Sequence, residues 1–165
     1  MRSVLLFPYV GPVVALAYTW ELLLDPYSGT LNNLLMNFQV IQEPLNLLGQ
    51  KYLIINFFGF DLKLRLALTT VIIFEIWRYF PLAFLFILAR LQAVPKELYE
   101  AAEVDGAGPL QKFISITLPQ ITAVISILFM IRFIWNFNKF EDIFLLTGGA
   151  SGTRTLPINV YEQGF

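Results

Sequence analysis

The chain has 165 residues, 57% hydrophobic and 14% charged, with a formal net charge of −1 and neither cysteine nor histidine. That excludes disulfides, thiolate nucleophiles, imidazole bases and the usual zinc ligands, and gives no electrostatic reason to expect nucleic acid. Sixteen Phe, seven Tyr and three Trp, with a mean hydropathy of +0.66, supply more apolar and interfacial surface than one small soluble core needs, so an all-α polytopic membrane protein is expected.

The first expected span is Val4 to Leu24, about twenty residues, matching a hydrocarbon core of ~30 Å. Pro8, Gly11 and Pro12 should bend it, which membrane helices tolerate when neighbours satisfy the freed carbonyls. Tyr18 and Trp20 read as interfacial anchors. No cleavable leader is expected, because the prolines interrupt the apolar run and no small-x-small site follows Leu24. Residues 25–65 are too polar to span and read as an external loop, or as a surface for a substrate-delivery protein. Within it, Asp25-Pro26-Tyr27-Ser28-Gly29 is a turn cluster. Leu31, Leu34, Leu35 and Phe38 then recur at helical spacing with Asn32, Asn33 and Asn37 between them, as in an amphipathic helix lying in the membrane interface. Ile54 to Phe60 is apolar but too short to cross.

The second expected span is 66–94, long enough to tilt or to extend beyond the bilayer. Arg90 can snorkel at its end. Glu75 and Arg78 lie near mid-depth at i, i+3 spacing, so they can pair, and intramembrane charges are a functional-site hypothesis by default. A third span is expected over 118–138, with Arg132 in its last turns. Trp135-Asn136-Phe137-Asn138-Lys139-Phe140 alternates aromatic with polar, a short apolar run from Phe140 to Leu146 ends at Thr147-Gly148-Gly149, and a mixed tail follows.

Between the last two spans, residues 95–117 are polar and must lie outside the hydrocarbon. Pro95 suits a first helical turn, Lys96 to Asp105 favours helix, and Gly106 stops it. Pro109 opens the next segment. Within this stretch Glu100-Ala101-Ala102, then Asp105-Gly106-Ala107, then Leu118-Pro119 resemble the EAA loop of binding-protein-dependent ABC importer permeases. The Asp-Gly-Ala form resembles the carbohydrate-uptake, maltose-type branch. The resemblance implies three transmembrane helices of a permease core with a cytoplasmic coupling helix. It further implies coupling to an ATPase through Glu100, Ala101, Ala102, Asp105, Gly106, Ala107, Leu118 and Pro119.

It also implies a substrate pathway. Aligned through Trp77 and Pro81, sugar-contacting positions fall on Arg78, Tyr79 and Leu82; aligned through Asn136-Phe137-Asn138, they fall on Arg132, Trp135, Asn136 and Lys139. An aromatic platform beside polar donors suits a hydroxyl-rich ring. The chain departs from the maltose pattern at Arg78, Tyr79, Leu82, Arg132 and Lys139, and its extra cations point to a different or acidic sugar. The other reading of those cations is interhelical pairing of Arg78 or Arg132 with Glu75, Glu141 or Asp142.

Other chemistry fits less well. Gly148 to Thr155 lacks the spacing and the lysine of a phosphate loop. Glu75 has no histidine, cysteine or second mid-span carboxylate beside it for acid–base catalysis. A proton-coupled carrier or a non-transporting permease remnant are the alternatives. No cofactor or metal is expected. The implied partners are ABC ATPase subunits, a second permease subunit, an extracytoplasmic solute-binding protein, lipid and sugar. The implied place is a bacterial or archaeal plasma membrane. Lysines and arginines do not settle orientation, whereas a cytoplasmic 95–117 loop puts Met1 inside and Phe165 outside. Three spans cannot enclose a pathway, so further apolar segments are expected beyond both ends.

Overall fold

Gly11 and Pro12 divide the first apolar run into two helices. The computed structural model describes residues 2–57 and 60–164. Helix α1 is Arg2–Val10 and α2 is Val13–Leu24, with Pro12 in an extended conformation between them (ψ 128°). Proline has no N–H to extend a helical ladder, so the expected bend is a full interruption. Neither half is long enough to cross alone.

Among the described residues, two helices are long and apolar enough to cross a membrane: α4, Leu66–Gln92, and a continuous helical stretch over Pro109–Phe137. At 1.5 Å per residue each exceeds the ~30 Å hydrocarbon. The second stretch starts well before the expected 118 border. It comprises a first turn α6 (Pro109–Lys112), a π-helical turn (Phe113–Thr117) and α7 (Leu118–Phe137). Phe129, Met130, Phe133 and Ile134 are exposed on α7, and no α7 residue is buried, a surface suited to lipid.

Between α2 and α4 lie α3 (Thr30–Asn37) and an antiparallel hairpin of β1 (Leu53–Phe57) and β2 (Phe60–Leu64), in register from Leu53 opposite Leu64. The hairpin was not expected. Alternation around Gly59 is brief, and an apolar run of that length does not reveal its own secondary structure. Leu31 and Leu34 of α3, and Phe38 just after it, are exposed. Asn32, expected on the polar face, is buried instead. Its amide donates to Leu45 O at 2.9 Å and its carbonyl accepts from Leu45 N–H at 3.1 Å, tying the following loop to the helix.

The described chain forms two compact units, one holding the residues up to Tyr9 with Tyr79–Asn136, the other Val10–Arg78 with the residues from Phe137 onward. The second has the hydrophobic core. Leu16 and Ala17 of α2, Val71 and Phe74 of α4, Ile143 and Leu146 of α8 (Glu141–Thr147) and Ile158 of α9 (Leu156–Gly164) pack together. The Trp20 ring meets Phe74 edge-on at 5.2 Å. The turn after α8 is fixed to the segment before α4: Ser151 Oγ donates to Gly49 O at 2.6 Å, and Arg65 Nη2 donates to Gly152 O at 3.1 Å.

Candidate functional site

The loop between the two long helices folds as α5, Lys96–Val104, entered from Pro95. Pro95 sits just outside the helix in an extended conformation, one step earlier than expected. Glu97, Glu100 and Glu103 are all exposed, three residues apart on one side. Val104 is exposed as well.

The end of α5 gives the Asp105-Gly106-Ala107 sequence a structural meaning. Gly106 N–H donates to Glu103 O at 3.0 Å and Ala107 N–H to Ala102 O at 2.8 Å, the paired bonds of a Schellman stop. Gly106 takes φ +76°, and no atom lies within 4 Å of where its Cβ would be. The position therefore selects glycine for its backbone conformation, not for space. Ala102, Asp105, Gly106 and Ala107 belong to one termination; Glu100 and Ala101 sit on the helix it ends.

Leu118 and Pro119 open α7 directly after the π turn. Leu118 N–H reaches back five residues to Phe113 O. Pro119 cannot donate to a carbonyl four residues back, and its ring crowds that carbonyl, Ser115 O; widening the helix there relieves both. The sequence reading missed this turn: a proline inside an apolar helical run marks a disturbed ladder without saying what form it takes.

The seven residues expected from the resemblance to line a pathway fall into two groups. In the unit containing α5, the Arg132 guanidinium lies 3.7 Å from the centroid of the Tyr79 ring. Tyr9, not singled out from sequence, meets the Tyr79 ring edge-on at 6.1 Å. Leu82 lies one turn beyond Tyr79, while Trp135 and Asn136 lie one turn beyond Arg132 and are exposed. In the other unit, Arg78 and Lys139 both bind the Asp142 carboxylate, one on each oxygen. Lys139 Nζ is also 3.2 Å from Glu75 Oε1. The Asp142 side chain is 3% exposed. Of the pairings weighed from sequence, Arg78 with Asp142 is present, and Glu75 meets Lys139. Among the described residues, no cluster of three or more Asp or Glu could hold a metal ion.

A family model described as binding-protein-dependent transport system inner membrane component matches residues 4–164. The chain belongs to this family. Within it, the chain is 38% identical over 164 residues to the inner membrane ABC transporter permease protein YcjO of Escherichia coli (strain K12), covering 99% of this chain and 51% of that protein. It is 35% identical over 169 residues to the trehalose/maltose transport system permease protein MalF of Thermococcus litoralis, covering 99% and 52%. Among solved structures, a bacterial ABC transporter involved in the import of the acidic polysaccharide alginate superposes with a TM-score of 0.70 at 22% identity, over 99% of this chain and 53% of that one. That likeness shows the shared fold of an ABC importer permease. The chain spans about half the length of the relatives it matches.

Proposed function

We propose that this segment forms part of the translocation pathway of an ATP-driven sugar importer and couples it to ATPase subunits through α5. ATP hydrolysis belongs to those partner subunits. A second permease subunit completes the pathway, and a solute-binding protein delivers the sugar on the outer side, with α5 in the cytoplasm. The observation carrying the reading is α5 itself: a polar helix, exposed along Glu97, Glu100 and Glu103, set between two helices of spanning length. A helix of nine residues has little stability alone in water, so a groove in a partner is the natural seat for it, with basic residues facing its acidic side. The names of the relatives, a trehalose/maltose permease among them, support sugar as the cargo. Closure of the ATPases moves α5, and the spans tilt to turn the site from one side to the other.

Arg132 stacked on Tyr79, with exposed Trp135 and Asn136 one turn on, supports a sugar-facing group. Arg78 and Lys139 are held by carboxylates, which favours a structural role for them over a substrate contact. Glu75, close to an ammonium, is placed as an ion-pair partner, and that favours the importer over a proton-coupled carrier. The test is Glu100→Lys and Gly106→Val in the permease carrying this segment, assembled with its ATPase. Both variants should insert normally yet lose uptake, with the ATPase either released or uncoupled. Full uptake and full stimulated hydrolysis in both would reduce α5 to an ordinary loop.

A further inference from the structure

Helix α5 is fastened at both ends of the π turn. Before the turn, Lys112 Nζ bonds Glu103 Oε1 at 2.6 Å. At its last residue, Thr117 Oγ1 lies 2.9 Å from the Tyr99 hydroxyl. Glu103 and Tyr99 are four residues apart, one turn of α5. The same helix therefore holds both sides of the π turn that leads into α7. Beyond the turn, Arg90 at the end of α4 donates from Nε to Gln120 O at 3.1 Å, and its guanidinium also bonds the Gln120 side chain.

A π turn carries one more residue per turn than the α-helix, and reverting it to α rotates everything on one side by about 100° and shifts it by about 1.5 Å. Left free, such a turn absorbs a push on α5 instead of passing it on. Bridged by Glu103–Lys112 and Tyr99–Thr117, it cannot change register without breaking one of the two contacts. We propose that Tyr99 and Thr117 are positioning residues that staple α5 across the π turn, so that α5 and α7 move as one body during coupling. The proposal rests on α5 being the coupling helix, and it adds the route by which displacement enters the span. Thr117 Oγ1 is the point of delivery. Lys112 and Glu103 secure the near side.

This segment has no cysteine, and once any cysteine elsewhere in the permease and its ATPase is replaced, an engineered pair reports alone. Leu98→Cys and Ile127→Cys, both at exposed positions, place one spin label on α5 and one on α7. Their distance distribution is measured in the permease alone and in the complex with its ATPase, nucleotide-free and trapped with ADP and vanadate. With the staple intact, the distribution should be narrow and unchanged by trapping. Tyr99→Phe, Thr117→Val and their double variant should all broaden it alike, because they remove the same bond, while Thr117→Ser restores the narrow form. The ratio of transport to hydrolysis should fall by about fivefold in the first three, the weight of one neutral hydrogen bond, with the ATPase still co-purifying. A distribution that Thr117→Val leaves narrow overturns the proposal. So does a wild-type distance that shifts on trapping, or loss of ATPase binding in Tyr99→Phe. If no ATPase joins even the unaltered permease, it is the importer reading that fails, whereas the distances in the permease alone still judge the staple.

Discussion

Removing the carboxylate of Asp142 leaves Glu75, Arg78 and Lys139 with one net positive charge at a site where the Asp142 side chain was 3% exposed. Breaking a buried ion pair from one side costs about 3–5 kcal/mol. Asp142→Ala should lower the unfolding free energy of the detergent-solubilised protein by that order, with a lower midpoint, and Asp142→Asn by less. A midpoint equal to wild type in both would mean the cluster holds nothing together. Gly106 offers a different kind of sensitivity. A β-branched residue at φ +76° is penalised by about 1–2 kcal/mol with no clash to relieve, so the lesion in Gly106→Val is one of angle. These two residues were not equally legible. Gly106 was readable as a stop because glycine advertises its conformation locally. The partner of Arg78 was one of several carboxylates within reach, and only folding selects Asp142.

At the level of elements, α4 and α5 could be read from apolar run length and from Gly and Pro, and Gly11 and Pro12 could be read as a bend but not as the interruption they make. The hairpin and the π turn could not. Each depends on a contest between backbone geometries that composition does not decide, and Pro119 tips the second only because a helix already surrounds it. The tether between α5 and Lys112 carries a pH dependence. The hydrogen bond from Lys112, and then its charge, hold the Glu103 carboxyl below its ordinary value of 4.5. A depressed carboxyl contributes its tether above the unfolded value and loses it as pH falls through the folded one. The α5–α7 label distance should therefore stay constant between about pH 6 and 8 and broaden only below about 4.5. Broadening near neutrality would remove Glu103 from the staple. Asp25 behaves in the same direction: the backbone N–H of Ser28, then its hydroxyl, and the N–H of Tyr27 hold it below 3.8. The turn that leads into α3 loosens only in acid.

For the whole molecule, the residues proposed to line a pathway are the ones whose role depends on the rest of the proposed importer. Trp135 is 44% exposed, so it is less tied into packing than a core aromatic. Trp135→Ala should lower sugar uptake while assembly and basal ATP hydrolysis persist. Loss of expression instead would make Trp135 a packing element. The resemblance placed Arg78 and Lys139 on the same sugar path, yet spacing alone could not reveal that both would be engaged by Asp142. Their cluster has a further consequence. Glu75, Arg78, Lys139 and Asp142 sum to zero charge, whereas a single elementary charge carried through the membrane field exchanges about 2.3 kcal/mol per 100 mV. In the importer proposed above, these four charges moving as a unit would do no net electrical work, so resting voltage would neither drive nor brake their part of the motion. A variant lacking one of the four charges would make that motion voltage-sensitive.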